Sequence, residues 1–234
     1  MIIAAVSDIH GKDNFSVFRE SAENIPNPDL FLLAGDIIKK GDIYFLPRIL
    51  GILSKFSCPK IACFGNEGYA EIRENIISST RPGIRWLDEE SVVLDIKGKK
   101  IGISGSAGSL ERPTHWQNVN IPDIREQYEK RRLNMYSMLA GMKANFKIAM
   151  MHYSPTHETL RGENESSWPW LADSVMGKTI ARALPDIVVH GHAHKGNAKG
   201  FISRVPVFNV SLPARGEITM IDTDDLPKPG LWRF

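Results

Sequence analysis

Residues 188–196 read VVHGHAHKG, a β-branched run that breaks into His190, His192 and His194 around Gly191. The chain has seven histidines in all, so three of them within five positions form an unusual concentration. In extended backbone, side chains two positions apart lie on one face, and these imidazoles can therefore point together at the end of a strand. That arrangement is typical of metal ligation. A solvated loop or a histidine packed in a core explains this stretch alone equally well. Residues elsewhere in the chain are needed to choose between these explanations.

The composition is that of an ordinary globular protein. Of the 234 residues, 42% are hydrophobic and 24% are charged, which supplies enough apolar material for a core. The 29 basic and 27 acidic residues nearly balance, so the charge argues against a nucleic-acid partner or a membrane surface. The densest basic run, residues 130–132, is predicted to be the exposed face of a helix. A homo-oligomer is compatible with this composition.

The cysteines and the start of the chain indicate the compartment. Cys58 and Cys63 cannot form a multi-bridge framework, and Cys63 lies in the apolar run KIACF, which favours a reduced, buried thiol. The start MIIAAVSDIHG is apolar for only a few residues, has no basic leader and soon reaches Asp8, so it does not match a signal peptide. No apolar stretch approaches the length that spans a bilayer. We expect a cytoplasmic protein without a membrane partner.

Short apolar runs alternate with helical patterns along the chain. The strand-length runs are MIIAAVSD, DLFLLAGD, KIACFGN, KIAMMHY and DIVVHGH, and each is continuous enough to be buried on both faces. Amphipathic segments are predicted near residues 13–24, 42–55, 68–79 and 174–183. This alternation favours an α/β fold.

Three further segments complete the outline. A long helix is predicted from residue 122 to about residue 141, with Pro122 in its first turn. The stretch SVVLDIKGKKIGIS indicates a hairpin. The tail DTDDLPKPGLWRF is expected to pack locally, with an edge or dimer contact as the alternative. Because no repeat, low-complexity tract or linker interrupts the chain, we expect one domain over residues 1–234.

Polar residues follow the apolar ends of these strands. They are Asp8, His10, Asp36, Asn66, His152, His192 and His194. In open α/β sheets the carboxyl edge is where sites form. Each residue alone has a simpler explanation, such as capping the next helix. Together they supply only oxygen and imidazole ligands, a set that suits Mn, Fe or Zn and can hold two ions.

Five short motifs in this order resemble those of the calcineurin-like metallophosphoesterases. They are SDIHG, AGD, GNE, MHYSP and GHAH, and the resemblance extends from Asp8 to about Asn209. It implies a two-sheet α/β sandwich with helices on the outside and a binuclear metal centre at one edge of the sheets.

The resemblance also implies a role for each ligand. One ion would be bound by Asp8, His10 and His194, the other by Asn66, His152 and His192, and Asp36 would bridge the two ions. The ligand types fit Mn, Fe, Zn, Co and Ni, so the metal identity stays open. His190 has no role in this pattern and is expected to face the other way or to donate a hydrogen bond behind the ligands. Asn209 is expected to support the site through hydrogen bonds.

The implied chemistry is phosphoester hydrolysis. Two divalent ions about 3.5–4 Å apart can make a bridging water acidic enough to be hydroxide at neutral pH, which then attacks phosphorus in line. The expected substrate is a phosphoester small molecule or a nucleotide, with diesters favoured over monoesters. The alternative is a weakly catalytic or non-catalytic metal-binding scaffold of the same fold that binds protein partners.

One motif departs from the family pattern. The family usually has a histidine directly after the asparagine, where it stabilises the phosphate or protonates the leaving group, and here that position is Glu67. Glu67 could act as a general acid, a contribution of roughly 10²–10⁴-fold. It could equally cap a helix that begins at Gly68.

Two polar loops offer other contacts to the substrate. The first, GSLERPTHWQNVNIP, contains His115, our preferred substitute acid. The second, SPTHETLRGENESSWPWLAD, contains Arg161, our preferred phosphate contact beside Asn66. Trp168 and Trp170 could stack on a base, although buried loop anchors or subunit contacts are commoner uses of indole.

Overall fold

The apolar runs form strands, and the amphipathic segments form helices. The computed structural model describes residues 1–226, and most of the tail predicted to pack locally lies outside that part. The strands are β1 Ile2–Val6, β2 Leu30–Ala34, β3 Lys60–Cys63, β4 Arg85–Leu87, β5 Glu90–Ile96, β6 Lys99–Ser106, β7 Phe146–Met151, β8 Ile187–His190, β9 Lys199–Ile202, β10 Val205–Asn209 and β11 Thr219–Asp222. The helices are α1 Phe15–Asn24, α2 Leu46–Leu53, α3 Arg73–Thr80, α4 His115–Asn120, α5 Ile124–Gly141, α6 Ser174–Ala183 and α7 Leu212–Arg215. Short 3-10 helices cover Ala70–Ile72, His157–Leu160, Glu165–Trp170 and Thr223–Asp225.

The strands form two mixed sheets. The first has the order β11-β1-β2-β3-β4, in which β1 to β4 are parallel and β11 is antiparallel to β1. The second has the order β5-β6-β7-β8-β10-β9, with an antiparallel strand pair at each end and parallel pairing between. The predicted α/β fold with two sheets is therefore confirmed, and the predicted hairpin is the pair β5 and β6.

The two sheets share one apolar core. Ile3 and Leu32 from the first sheet pack in the same fully buried cluster as Ile103 and Ile148 from the second. The opposite face of the first sheet is covered by α1 and α2, whose Phe18 and Ile49 are fully buried. Helices α5 and α6 cover the outer face of the second sheet through Met135 and Ile180. Strands buried on both faces explain why the sequence shows continuous apolar runs.

The region around the long helix differs from the prediction. Helix α5 begins at Ile124, and Asp123 before it has a left-handed backbone, so Pro122 lies outside the first turn. The preceding segment was predicted to be a loop, but it contains α4. A capping box starts α4, because the Thr114 side chain accepts from Gln117 N–H and the Gln117 side chain accepts from Thr114 N–H.

The prediction of an exposed basic face on α5 is wrong for two of its three residues. Arg132 Nε donates to Asp173 Oδ2 at 2.7 Å, and that carboxylate is fully buried. Arg131 donates to the carbonyl of Gly108 at 3.0 Å. Both guanidinium groups are half-buried because they hold the loops beside the second sheet, and Lys130 is exposed. Within residues 1–226, no helix is both long and apolar enough to cross a membrane.

Candidate metal centre

The loops that follow the parallel strands meet at one edge of the two sheets. After β1, Asp8 N–H donates to Gly35 O at 3.1 Å, which ties this loop to the loop after β2. In the second sheet, Gly191 N–H donates to His152 O at 3.0 Å. Ser7 N–H reaches across from the first sheet to Val210 O at 3.0 Å. The carboxyl ends of strands from both sheets are therefore held in one place.

One group of potential ligands consists of Asp8, His10 and His194, whose ligand atoms lie within 4.8 Å of one another. Asp8 Oδ1 is 3.2 Å from His194 Nε2 and 3.6 Å from His10 Nε2. Among the described residues, the buried Nδ1 atom of His10 has no hydrogen-bond partner. Two imidazole Nε2 atoms beside a buried carboxylate fit the chemistry of a divalent cation.

A second group consists of Asp8, Asp36 and His152. His152 Nε2 lies 3.2 Å from Asp36 Oδ2 and 3.0 Å from Asn66 Oδ1. The ring of His192 stands edge-on to that of His152, with 5.0 Å between the ring centroids. All three side chains at the centre of this group are buried, so their polar atoms need a partner that is not bulk water.

The contacts above connect the seven predicted ligands at this edge. His192 nevertheless lies outside both ligand groups: its ring packs against His152, and its Nε2 atom is near Trp170 O. Asp8 is shared by the two groups, although the bridging role was predicted for Asp36. The division of the ligands between two ions stays a prediction. The mixture of carboxylate, imidazole and amide donors fits Mn, Fe, Zn, Co or Ni.

Backbone strain is concentrated at these ligands. Asp8, His10, Asp36 and His192 have φ angles of 58°, 50°, 49° and 67°, a region that residues other than glycine occupy rarely. Such conformations persist only where the surrounding structure enforces them, and they cluster at functional sites. The strain turns each side chain sharply away from its strand and toward the shared edge.

Gly191, between His190 and His192, packs closely against Ser7 and Asp8. A Cβ atom on this residue would lie 2.2 Å from Ser7 Oγ and 2.7 Å from Asp8 Oδ2, so any side chain would displace a ligand. Ser7 Oγ also donates to Asp8 Oδ2 at 2.6 Å, and His192 N–H donates to the same oxygen at 2.9 Å. Asp8 is therefore oriented by two donors on one oxygen, which leaves its other oxygen toward the imidazoles.

The carboxylates and imidazoles at this edge shift one another's pKa values. Burial raises the pKa of the Asp8 carboxyl, but the hydrogen bond from His194 and the charge of His152 outweigh burial and hold the pKa below its usual range. Burial likewise opposes a charge on His152, yet Asp36 raises its pKa to about 9. Burial and the adjacent His152 lower the pKa of His192 to about 3, which keeps that imidazole in the neutral, ligating form.

Two residues support the ligands from behind. His190 is fully buried, with Nε2 at 2.8 Å from Thr159 Oγ1 and Nδ1 at 2.7 Å from Gly191 O, and it belongs to neither ligand group. Burial lowers the pKa of His190 to about 4, so its ring is neutral. Asn209 Nδ2 donates to Ala193 O at 2.9 Å, between the two last histidine ligands. Both residues hold the backbone of the ligand loop, as expected from the sequence.

Glu67 does not cap a helix, so that alternative is wrong. The next helical turn begins at Ala70, and its N-terminal residue Tyr69 makes no side-chain cap. Instead, the Glu67 carboxylate accepts hydrogen bonds from the backbone of Lys40 and the side chain of Asn66.

The first polar loop is tied to the metal edge through Gln117, which sequence reasoning missed. Gln117 Nε2 donates to Tyr153 OH at 2.8 Å, and Tyr128 OH donates to Gln117 Oε1 at 3.0 Å. The Tyr153 ring in turn contacts His192, with centroids 4.8 Å apart. The position of Tyr153 directly after His152 was the available signal. His115 is exposed at the start of helix α4, which also contains Gln117.

The second polar loop also reaches the ligands. Trp170 O lies 3.3 Å from His192 Nε2, and the Trp170 side chain is 40% exposed. Trp168 instead packs against a buried cluster that includes Ala193. Arg161 is exposed and pairs with Glu158 at 3.4 Å. The two tryptophans thus have different environments, which the sequence did not reveal.

The fold and this donor set together define a metal-dependent enzyme of the two-sheet α/β class. The family described as calcineurin-like phosphoesterase matches residues 1–196 by sequence. The chain therefore belongs to the calcineurin-like phosphoesterase family, and it is a metal-dependent phosphoester hydrolase.

Similar solved structures agree on the fold. Phosphopantetheinyl hydrolase (PptH) from Mycobacterium tuberculosis has a TM-score of 0.72 and 14% identity, with 97% of this chain and 98% of that chain covered. The protein TT1561 of Thermus thermophilus has a TM-score of 0.65 and 18% identity, with coverages of 94% and 93%. A putative 5'-nucleotidase from Staphylococcus aureus has a TM-score of 0.50 and 14% identity, with coverages of 89% and 48%. No curated protein matches the chain by sequence.

Proposed function

We propose that the chain hydrolyses phosphodiesters in preference to phosphomonoesters at a dinuclear metal centre. The observation that carries this proposal is the convergence of two buried carboxylates, Asp8 and Asp36, with imidazole and amide ligands at one sheet edge. When bound, two divalent ions supply an acidic water and positive charge that a phosphate can meet. The protein side chains hold this charge in place, exclude bulk water from the carboxylates and orient the substrate.

The preference for diesters follows from counting charge. Asp8 and Asp36 carry two negative charges against the four positive charges of two divalent ions, and Asn66 adds none. A hydroxide nucleophile leaves one positive charge, which a monoanionic diester neutralises and a dianionic monoester exceeds. An ionised Glu67 beside Asn66 would repel the dianion further, by an amount on the order of 1 kcal/mol or more at effective protein dielectrics.

The test is an assay of matched esters. Protein stripped of metal and reloaded separately with Mn, Fe, Zn, Co or Ni is assayed on an aryl monoester and the diester with the same leaving group. We expect kcat/KM to favour the diester with the best metal. An equal or higher value for the monoester contradicts the charge argument. No turnover with any of the metals would favour the scaffold alternative, in which the same ligands retain metal and the surface binds a protein partner.

The remaining contacts to the substrate are proposals. His115 is our candidate for the leaving-group acid. The neighbouring Trp116 stacks on Tyr69, with 5.7 Å between the ring centroids, and Tyr69 is three residues after Asn66, so the start of helix α4 lies close to the Asn66 loop. Arg161, together with Asn66, is our candidate for contacting the phosphate of the substrate. Its ion pair with Glu158 is exposed and of the weak surface type, so an incoming phosphate can replace that carboxylate.

Trp170 and Trp168 provide a matched test of the loop's role. Trp170→Ala should raise KM for a nucleotide-like diester by about 5- to 150-fold and leave a small aryl diester nearly unchanged, because the exposed indole stacks on the larger substrate, a contact worth about 1–3 kcal/mol. Trp168→Ala should instead lower the unfolding temperature, because its indole packs beside Ala193. Kinetics with both substrates and thermal unfolding separate the two effects. Equal kinetic losses on both substrates from Trp170→Ala would contradict a stacking role.

We also propose that residues 1–234 form one domain and that the protein acts in a reducing compartment, the cytoplasm. The shared core between the sheets supports the first proposal. The second is supported by Cys58 and Cys63, which are both free thiols, with Cys63 fully buried.

A further inference from the structure

Glu67 contacts both the metal ligands and a neighbouring turn. Its Oε2 atom accepts a short hydrogen bond from the Lys40 backbone N–H, and its carbonyl accepts the Gly41 N–H at 3.0 Å. Its own N–H donates to Asp36 Oδ1 at 2.9 Å. Its Oε1 atom accepts from Asn66 Nδ2 at 3.4 Å. One residue thus connects two proposed ligands to the turn at residues 39–42.

That turn needs an external anchor. Lys40 and Gly41 have left-handed backbones, with φ angles of 47° and 76°, and a lysine in this conformation is disfavoured. Within the turn, Asp42 N–H donates to Lys39 O at 2.9 Å, so the turn closes on itself and leaves the Lys40 and Gly41 N–H groups pointing outward. Glu67 accepts both of these N–H groups.

The contact with Asn66 determines which end of that amide faces the metal centre. A side-chain amide has an oxygen that can ligate a cation and a nitrogen that cannot. Because Asn66 Nδ2 donates to Glu67, Asn66 Oδ1 is directed to the other side, 3.0 Å from His152 Nε2. The neutral amide therefore presents its oxygen to the ligand cluster.

We infer that Glu67 is a positioning residue, which holds the turn at residues 39–42 against the metal edge and orients the Asn66 oxygen toward it. Both oxygens of its carboxylate are directed at N–H groups of the protein, so the carboxylate serves as an acceptor. This role replaces that of a leaving-group acid at this position. The inference rests on the proposed phosphoesterase function only for its kinetic consequences.

The first experiment measures the turn without reference to activity. Lys40 is exposed, and the bond between Lys40 and Gly41 is a potential trypsin site. Limited tryptic digestion, followed by mass spectrometry, should show cleavage there about tenfold faster in Glu67→Ala than in the wild type, because a hydrogen bond to a charged acceptor is lost. Glu67→Gln retains an acceptor oxygen and should stay protected. Glu71→Ala, which changes an exposed acid on the next turn, is the control and should match the wild type. Wild-type protection in Glu67→Ala would overturn the inference.

The second experiment compares kinetics for the same variants, loaded with the best metal. We expect kcat to fall in the order wild type, Glu67→Gln, Glu67→Ala, with the acidic and basic limbs of the pH profile retained in the glutamine variant. A glutamine variant that keeps its tryptic protection but is as slow as Glu67→Ala and has lost one limb of the profile would identify Glu67 as an acid and overturn the inference. If the wild type itself is inactive with every metal, the proposed function fails, while the digestion still decides the role of Glu67.

Discussion

Asp36→Asn is expected to lower kcat by about 10³-fold and to reduce the metal content of the purified protein. The loss of one carboxylate charge removes several kcal/mol of metal binding and charge stabilisation, and each 1.36 kcal/mol corresponds to a factor of about ten in rate. Asp36 is 4% exposed, its Oδ2 atom lies 3.2 Å from His152 Nε2, and its Oδ1 atom accepts the Glu67 N–H. Asparagine keeps the size of the side chain, so the effect reports the charge rather than packing.

Metal stoichiometry distinguishes the two carboxylates. If Asp36 bridges the ions, elemental analysis should find both ions depleted in Asp36→Asn, whereas Asp8→Asn should chiefly deplete the ion that His10 and His194 are predicted to bind. The reverse result would make Asp8 the bridge, a role that its membership of both ligand groups allows. An Asp36→Asn protein with two tightly bound ions and a normal rate would exclude a bridging role.

His190→Asn is the control for the Asp36 variant, because His190 is a buried histidine that directly precedes the GHAH motif but is not a predicted ligand. Its ring is fully buried and hydrogen-bonded to Thr159 and Gly191, so the substitution should lower stability by about 1–3 kcal/mol. Metal content per folded chain should stay at the wild-type level, because both nitrogens of the ring are already engaged with Thr159 and Gly191. Metal loss equal to that of Asp36→Asn would place His190 among the ligands.

The convergence of the predicted ligands at one edge could be anticipated from the sequence because their signals are local. Each follows directly on a buried strand, and the carboxyl ends of parallel strands meet at one edge whatever the details of packing. The strands themselves were visible because a two-sheet sandwich covered by helices buries both faces of β1 and β2. The division of the strands between two sheets required the structure, as did the pairing of β1 with β11 and of β8 with β10, because these partners are not consecutive in the chain.

The missed features depend on contacts between distant segments. Glu67 meets Lys40 across 27 residues, and Arg132 meets Asp173 across 41 residues, so neither partner can be read from the local pattern. Helix α4 has only six residues, too few to show an apolar periodicity. Its capping box was present in the letters THWQ, which is a signal that the prediction of a loop did not use.

Gly65→Ala is expected to disable the metal centre by steric displacement alone. A Cβ atom on Gly65 would lie 2.1 Å from Asp36 Oδ1 and 2.8 Å from the Asp36 backbone nitrogen. Relieving the first contact displaces the carboxylate, and the second contact involves backbone and cannot be relieved by rotating a side chain. Asp36 must therefore move relative to His152. A misplacement of about 1 Å at a reacting centre costs on the order of 10²-fold in rate, and we expect a loss of that size in kcat.

Thermal unfolding separates this effect from a general loss of stability. Metal that binds only the folded state raises the unfolding temperature, so Gly65→Ala should lose most of the metal-induced increase seen in the wild type. Gly51→Ala is the control, because Gly51 lies exposed in α2 and the described residues place no heavy atom within 4 Å of its added Cβ. It should be neutral or stabilising by about 0.5–1 kcal/mol, with wild-type activity and metal response. A Gly65→Ala protein with the full metal-induced increase and a normal rate would show that Asp36 can move without consequence, and its carboxylate would then not be a ligand.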